Sequence, residues 1–304
     1  MDLLTGFTTI LAVIGAGAFL AHRGVIDERA QRTLAEVSFF VATPALMLTT
    51  ISRLEIGRDT TANVVASALS LATCFLVFAL VSRLVWRNEG GDVLIGALVS
   101  SYVNAGNLGI AVGAYVVGDA AVVVPTLLVQ VLVVQPLSLA FLDRRAGRGT
   151  NAASVVKRLA SNPLTIGSAI GLVLAVSGWT LPTIVGQPVA LLAGLAIPAM
   201  LLSYGAALRL SPPLGRAGQR REVVFATVLK LGVMPIVAWA VGSACGLDGR
   251  ALLGVVIVAG LPTAQNIFLH STRYRVGETL AREVVLVTTL GCLPVALLIA
   301  LLLG

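Results

Sequence analysis

Asn104-Ala105-Gly106-Asn107-Leu108-Gly109 lies in the middle of an apolar run, residues 93–117, that is otherwise long enough to cross a bilayer. Two amides and two glycines at that depth decide how the chain is read. Gly weakens the helix, and hydrocarbon cannot satisfy the backbone groups that a broken helix frees. Such a stretch is tolerable only where protein or a hydrated cavity supplies partners. Asn side chains do that while also contacting a ligand. A second stretch of the same kind, Pro262-Thr263-Ala264-Gln265-Asn266, stands 158 residues later, near the middle of the run 251–270. Pro removes a helical donor there, as Gly relaxes the helix in the first run.

The rest of the chain requires lipid as its main solvent. Of 304 residues, 57% are apolar and only 12% are charged, about half the charge of a soluble globular domain. Mean hydropathy is +0.97. A soluble core cannot absorb this much apolar surface, which excludes soluble enzymes, nucleic-acid binders and disordered proteins. The +7 net charge implies no nucleic-acid partner, because the basic residues fall in short clusters between apolar runs. After Met1 the first basic residue is Arg23, so residues 3–21 read as a retained span rather than a cleaved signal. Cys74, Cys245 and Cys292 are scattered, so neither a disulfide framework nor a metal site is supported, and no cofactor is expected.

Ten apolar runs predict ten spans: 3–21, 33–52, 62–82, 93–117, 121–142, 162–178, 187–208, 223–246, 251–270 and 283–303. The loops after spans 1, 3, 5, 7 and 9 carry 3, 2, 5, 4 and 3 of the 21 Lys and Arg. Those after spans 2 and 8 carry 2 and 1, those after 4 and 6 carry none, and Lys230 lies inside span 8. The positive-inside rule then places the odd-numbered loops in the cytoplasm and both termini outside, in an inner (cytoplasmic) membrane. The longest loop, Asp143 to Ser161 with Arg144, Arg145, Arg148, Lys157 and Arg158, divides the chain. Residues 1–143 form a first five-helix repeat, 144–161 a basic cytoplasmic linker, and 162–304 a second repeat.

The halves match each other. Thr43-Pro44-Ala45-Leu46-Met47-Leu48 aligns with Ile197-Pro198-Ala199-Met200-Leu201-Leu202 at an offset of 154, and Leu20-Ala21 with Leu174-Ala175 at the same offset. Val117-Gly118-Asp119 aligns with Val276-Gly277-Glu278 at 159, and Pro136 with Pro294 at 158. Five spans is an odd number, so the second half crosses in the opposite sense. That is an inverted repeat, a plan of secondary transporters with the site near the midplane. The expected fold is an all-α polytopic membrane protein of ten helices, with broken helices 4 and 9 crossed. Their N-termini would offer partial positive charge to an anion. Amide hydrogen bonding between packed helices is the other reading of the same residues.

The ten-span plan, the Asn104-to-Gly109 run and the Pro44-Ala45 and Pro198-Ala199 pairs resemble the auxin efflux carrier family. Its bacterial members include proteins described as malate and malonate permeases. The resemblance implies a fold shared with bile-acid sodium symporters. In that fold, spans 1, 2, 6 and 7 make a scaffold domain, while spans 3–5 and 8–10 make an interleaved transport domain. It also implies elevator-like alternating access and a homodimer. The long hydrophilic loop of plant members is missing here, since 143–161 is short, which argues against auxin as the substrate.

Three titratable residues remain. Lys230 lies eight residues beyond Glu222, about 12 Å deep at 1.5 Å per residue. It either faces a cavity, binding a carboxylate or coupling protons, or snorkels to the headgroups. Glu36 stands one turn from Arg32, as an interfacial i, i+4 pair or a proton-coupling group. His270 ends span 9 beside Arg273 and Arg275, as an interface residue or a proton relay. Trp86, Trp179, Trp239, Tyr102, Tyr115 and Tyr204 read mainly as aromatic belts, with Tyr102 and Tyr204 able to border a cavity.

The sequence therefore predicts a secondary active transporter for a small organic anion. Its substrate-binding set is Asn104, Gly106, Asn107, Pro262, Thr263, Gln265, Asn266 and Lys230, and Lys230, Glu36 and His270 are candidates for coupling to protons or sodium. A sodium-coupled symporter of the bile-acid type is the alternative. A cation/proton antiporter is disfavoured because no acid lies in 93–117 or 251–270. A membrane enzyme is disfavoured because the acids are dispersed, and no Walker-type run supplies ATP chemistry.

Overall fold

The computed structural model describes residues 3–53, 57–147, 160–210 and 220–304, together with 153, 156 and 157. Arg148 and Arg158 of the predicted linker lie outside the described residues, as does the side chain of Asn107. The protein is all-helical, with a single isolated bridge between extended residues among those described. The elements are α1 (Leu3–His22), α2 (Glu28–Ile51), α3 (Arg58–Leu84), α4 (Gly91–Val99), α5 (105–117) and α6 (Ala120–Arg145). After these come α7 (Pro163–Ser177), α8 (Thr183–Leu210), α9 (Arg220–Ala244), α10 (Gly249–Ala259), α11 (Gln265–Tyr274) and α12 (Glu278–Leu303).

Seven of these helices, α1, α2, α3, α6, α8, α9 and α12, are long and apolar enough to cross a membrane. Their apolar windows are only 28–44% buried within the protein. Side chains such as Ile184 and Leu191, 84% and 79% exposed, therefore need a lipid environment. The other three predicted spans fall short for two reasons. Span 6 is α7, a helix of 15 residues. Spans 4 and 9 are each interrupted, into α4 with α5 and α10 with α11.

Local chemistry fixes the ends. Asp27 caps α2 by accepting from Ala30 N at 2.8 Å, and Asn162 caps α7 by accepting from Leu164 N at 2.9 Å, with Pro163 in the first turn. Gly118 ends α5 at φ 85°, a conformation that carries no penalty only for Gly. Three helices contain a π-helical turn two residues ahead of a proline: Ser38–Ala42 before Pro44, Gln130–Val134 before Pro136, and Leu229–Val233 before Pro235. A proline ring clashes with the carbonyl four residues back and offers it no N–H, and the wider turn relieves both. Pro198 and Pro294 sit in uninterrupted α-helix, so proline permits this turn without dictating it.

The chain separates into two compact units. The first comprises residues 1–56, 106–124 and 156–213. Within it α1 packs on α8 and α2 on α7 through glycines. A Cβ on Gly205 would stand 1.9 Å from Ile14 O, and one on Gly167 would stand 2.4 Å from Pro44 O. Small residues let backbones approach this closely, which is how membrane helices gain packing without a hydrophobic drive. The second unit comprises 57–105, 125–155 and 214–304. Here α9 packs on α3 and α10, and the Phe78, Trp86 and Phe225 rings meet at 5.6–5.9 Å. Trp86, half-buried just beyond the end of α3, is part of this ring cluster.

A crossed pair of broken helices as the candidate site

The interruptions fall earlier than the amide runs suggest. Helix α4 stops at Val99 and α5 starts at Ala105; α10 stops at Ala259 and α11 starts at Gln265. The non-helical segments are therefore 100–104 and 260–264, at an offset of 160, each turning at its first two residues before the chain extends. Ser100 and Ser101 end α4 because their hydroxyls donate back to Ala97 O, at 2.9 and 2.7 Å, and compete with the helical ladder. Gly260 and the proline at 262 end α10, since Leu261 before a proline is driven out of the α region. Of the predicted binding residues, Asn104, Pro262 and Thr263 lie in these non-helical segments. Gly106, Asn107, Gln265 and Asn266 instead lie in the first turns of α5 and α11.

The two non-helical segments of the second unit meet antiparallel, with Val103 opposite Thr263. Asn104 N donates to Pro262 O at 2.8 Å, and Ala264 N donates to Tyr102 O at 3.2 Å. The backbone groups that point away from this pairing are met by side chains. The Gln130 amide of α6, oriented to satisfy both groups, donates to Val103 O at 3.0 Å and accepts from Val103 N at 2.7 Å. Thr263 N donates to Thr288 Oγ1 of α12 at 3.1 Å, and Thr263 Oγ1 donates to Val99 O. Gln130 and Thr288 are 158 residues apart, the offset that already relates Pro136 to Pro294. Neither was singled out from the sequence, although applying that offset to the polar residues of spans 5 and 10 finds both.

Beside these pairings, two side-chain amide atoms stay unpaired. Asn104 Nδ2 and Asn266 Oδ1 are buried without hydrogen-bond partners. An orphaned donor or acceptor of this kind costs about 1–3 kcal/mol. Helix α11 also begins without a side-chain cap, which leaves first-turn N–H groups to find other acceptors. Tyr102 is buried beside them rather than at an interface. Its hydroxyl donates to Gln135 Oε1 at 3.3 Å, and Asn266 is within hydrogen-bonding reach.

Lys230 lies within the π turn of α9 and is fully buried, so it does not snorkel. Its Nζ donates to Ala259 O, the last carbonyl of α10, at 2.7 Å. No carboxylate lies within ion-pair distance of it among the described residues. A charge-assisted hydrogen bond contributes about 1.5–3 kcal/mol and a helix C-terminus up to about 2 kcal/mol. Together these match the roughly 2.5–3.5 kcal/mol cost of a lysine at this depth.

His270 lies one turn beyond Asn266, with Nε2 buried and unpartnered. Glu36 is exposed on α2 in the other unit, and no ion pair joins it to Arg32 among the described residues. The unit boundary falls between Ala105 and Gly106, so Gly106 and Asn107 count with the first unit. Two acids that sequence reading passed over are buried in the second. Asp143 accepts from the Tyr274 hydroxyl at 2.6 Å, and Glu283 lies 3.7 Å from Arg282. A cleft of about 850 Å³ lined by Trp86, Arg220, Arg221 and Phe225 includes none of the crossover residues.

A family model described as membrane transport protein matches residues 4–300. A Rhizobium meliloti protein named "Putative malonate transporter" is 26% identical over 260 residues, 83% of this chain and 80% of that protein. Auxin efflux carrier component 1 of Arabidopsis thaliana is 27% identical over 154 residues, 49% of this chain and 25% of its own. The Escherichia coli K12 protein named uncharacterized transporter YfdV is 23% identical over 298 residues, 93% of this chain and 91% of its own.

Proposed function

The chain belongs to the auxin efflux carrier family of membrane transport proteins, and on that premise we propose that it is a secondary active transporter for a small organic anion. The observation that carries this reading is the pair of unsatisfied amides at the crossover. Asn104 Nδ2 offers a donor and Asn266 Oδ1 an acceptor, beside the uncapped start of α11. A carboxylate takes the donor and the helical N–H groups, and a hydroxyl or a second, protonated carboxyl gives its hydrogen to the acceptor. A dicarboxylate or hydroxycarboxylate fits that pattern, and the name carried by the R. meliloti relative supports the same class.

In this reading Pro262 and Thr263 shape the site and Gln265 lines it. Gly106 and Asn107 begin the second half of broken helix 4. Lys230 contributes positive charge from the end of α10. Transport follows alternating access of the elevator kind, in an inverted ten-helix plan that works as a homodimer in the inner membrane. Coupling to protons would draw on His270, on Lys230 itself or on Glu36.

Purified protein in liposomes tests this through tracer flux of malonate, malate and indole-3-acetate under imposed proton or sodium gradients. Saturable flux of a dicarboxylate or hydroxycarboxylate, accelerated by one gradient, is the expected result. Folded protein that moves none of the three above the protein-free rate would overturn the reading.

A further inference from the structure

Two half-helices end at the crossover, and their C-terminal carbonyls are met differently. At the end of α4, Val99 O accepts from the Thr263 hydroxyl, and Ala97 O accepts from Ser100 and Ser101. At the end of α10, Ala259 O accepts from the Lys230 ammonium. The position 160 residues before Lys230 is Ser70, whose hydroxyl is taken by Ser67 O, so the charge has no counterpart in the first half of the chain. The ends of half-helices inside a membrane, with their converging carbonyls, are where transporters hold coupling cations. Here that end already has a covalently tethered cation. The Cys74 and Cys292 thiols lie near it, and Cys74 Sγ donates to Leu229 O at 3.4 Å. No ion pair reaches it, and no group of three or more His, Cys, Asp or Glu that could hold a metal ion occurs among the described residues.

We propose that Lys230 is a resident cation that positions segment 260–264 of the crossover in place of a bound sodium ion. The π turn Leu229–Val233 sets the ammonium against the last turn of α10, and the charge holds that turn where Pro262 and Thr263 can pair with segment 100–104. Lys230 is thus a positioning residue, acting on substrate through the segment it holds. The structural part stands whatever the substrate is. The consequence that sodium does not couple at this end rests on the carrier reading above.

The test uses hydrogen exchange of the backbone at 260–264 in purified full-length protein without substrate, so failure of the carrier reading leaves it untouched. Wild-type protection should be the same in sodium and in N-methyl-D-glucamine. Lys230→Ala should exchange about tenfold faster at 260–264 while α1 and α8 keep their protection, a local opening rather than global unfolding. Propylammonium, which replaces the deleted stem and charge, should restore protection. Lys230→Gln, which keeps a donor without the charge, should not. The proposal is overturned by sodium-dependent protection of the wild type, by unchanged exchange in Lys230→Ala, or by full protection in Lys230→Gln. If Lys230→Ala does not fold, the wild-type comparison in the two cations and Lys230→Gln still decide.

Discussion

Asn104 and Thr288 are both buried polar residues at the crossover, yet their removal should have opposite signatures. Thr288 Oγ1 accepts the Thr263 N–H, so Thr288→Val leaves a buried donor unpaired and should cost about 1–3 kcal/mol. Gln130→Leu orphans both backbone groups of Val103 and should cost more. Thermal unfolding in detergent checks both, with Thr288→Ser retaining most of the midpoint. Asn104 Nδ2 and Asn266 Oδ1 have no such partners. Asn104→Ala and Asn266→Ala should therefore change stability by less than about 1 kcal/mol, while flux falls to background. A large drop in their melting points would move both amides from binding to packing.

Between residue and fold stands the broken helix, where sequence and structure differ most instructively. The amides and glycines announce that spans 4 and 9 are interrupted, because a lipid-facing helix has no use for them at that depth. They do not locate the break, since Ser100, Ser101 and Gly260 end the first halves several residues earlier, through bonds to carbonyls already passed. The offset of 158 was legible in the prolines and extends to Gln130 and Thr288. The partner of Lys230 was not legible, because Ala259 O is a backbone atom on another helix and leaves no mark on composition. Helix packing supplies a check at this scale from two glycines of α8. Gly194→Ala meets nothing within 4 Å and should gain up to about 1 kcal/mol from helix propensity. Gly205→Ala would set its Cβ 1.9 Å from Ile14 O, a backbone atom with nowhere to go, and should lose about 1–3 kcal/mol by overpacking. Melting midpoints that move in the same direction would contradict the close α1–α8 contact.

For the molecule as a whole, the distribution of Lys and Arg makes a prediction about sidedness. A cysteine at Ala146, in the predicted cytoplasmic linker, should react with an impermeant maleimide only from inside the cell. One at Ser177, at the end of span 6, should react only from outside. Both positions are exposed, and Cys74 and Cys292 are buried, so a Cys245→Ala background suffices. Reversed labelling would invert the topology and with it the orientation of the crossover. The central claim is that an anion is carried by alternating access through that crossover, and counterflow tests it most directly. Liposomes holding the protein and unlabelled malonate are diluted into labelled malonate, and internal label is followed over time. The expected result is a transient overshoot above equilibrium, absent from the Asn104→Ala, Asn266→Ala double variant at an unchanged melting point. An overshoot undiminished in that variant would contradict the site, and its absence from the wild type with malonate, malate and indole-3-acetate alike would contradict the carrier.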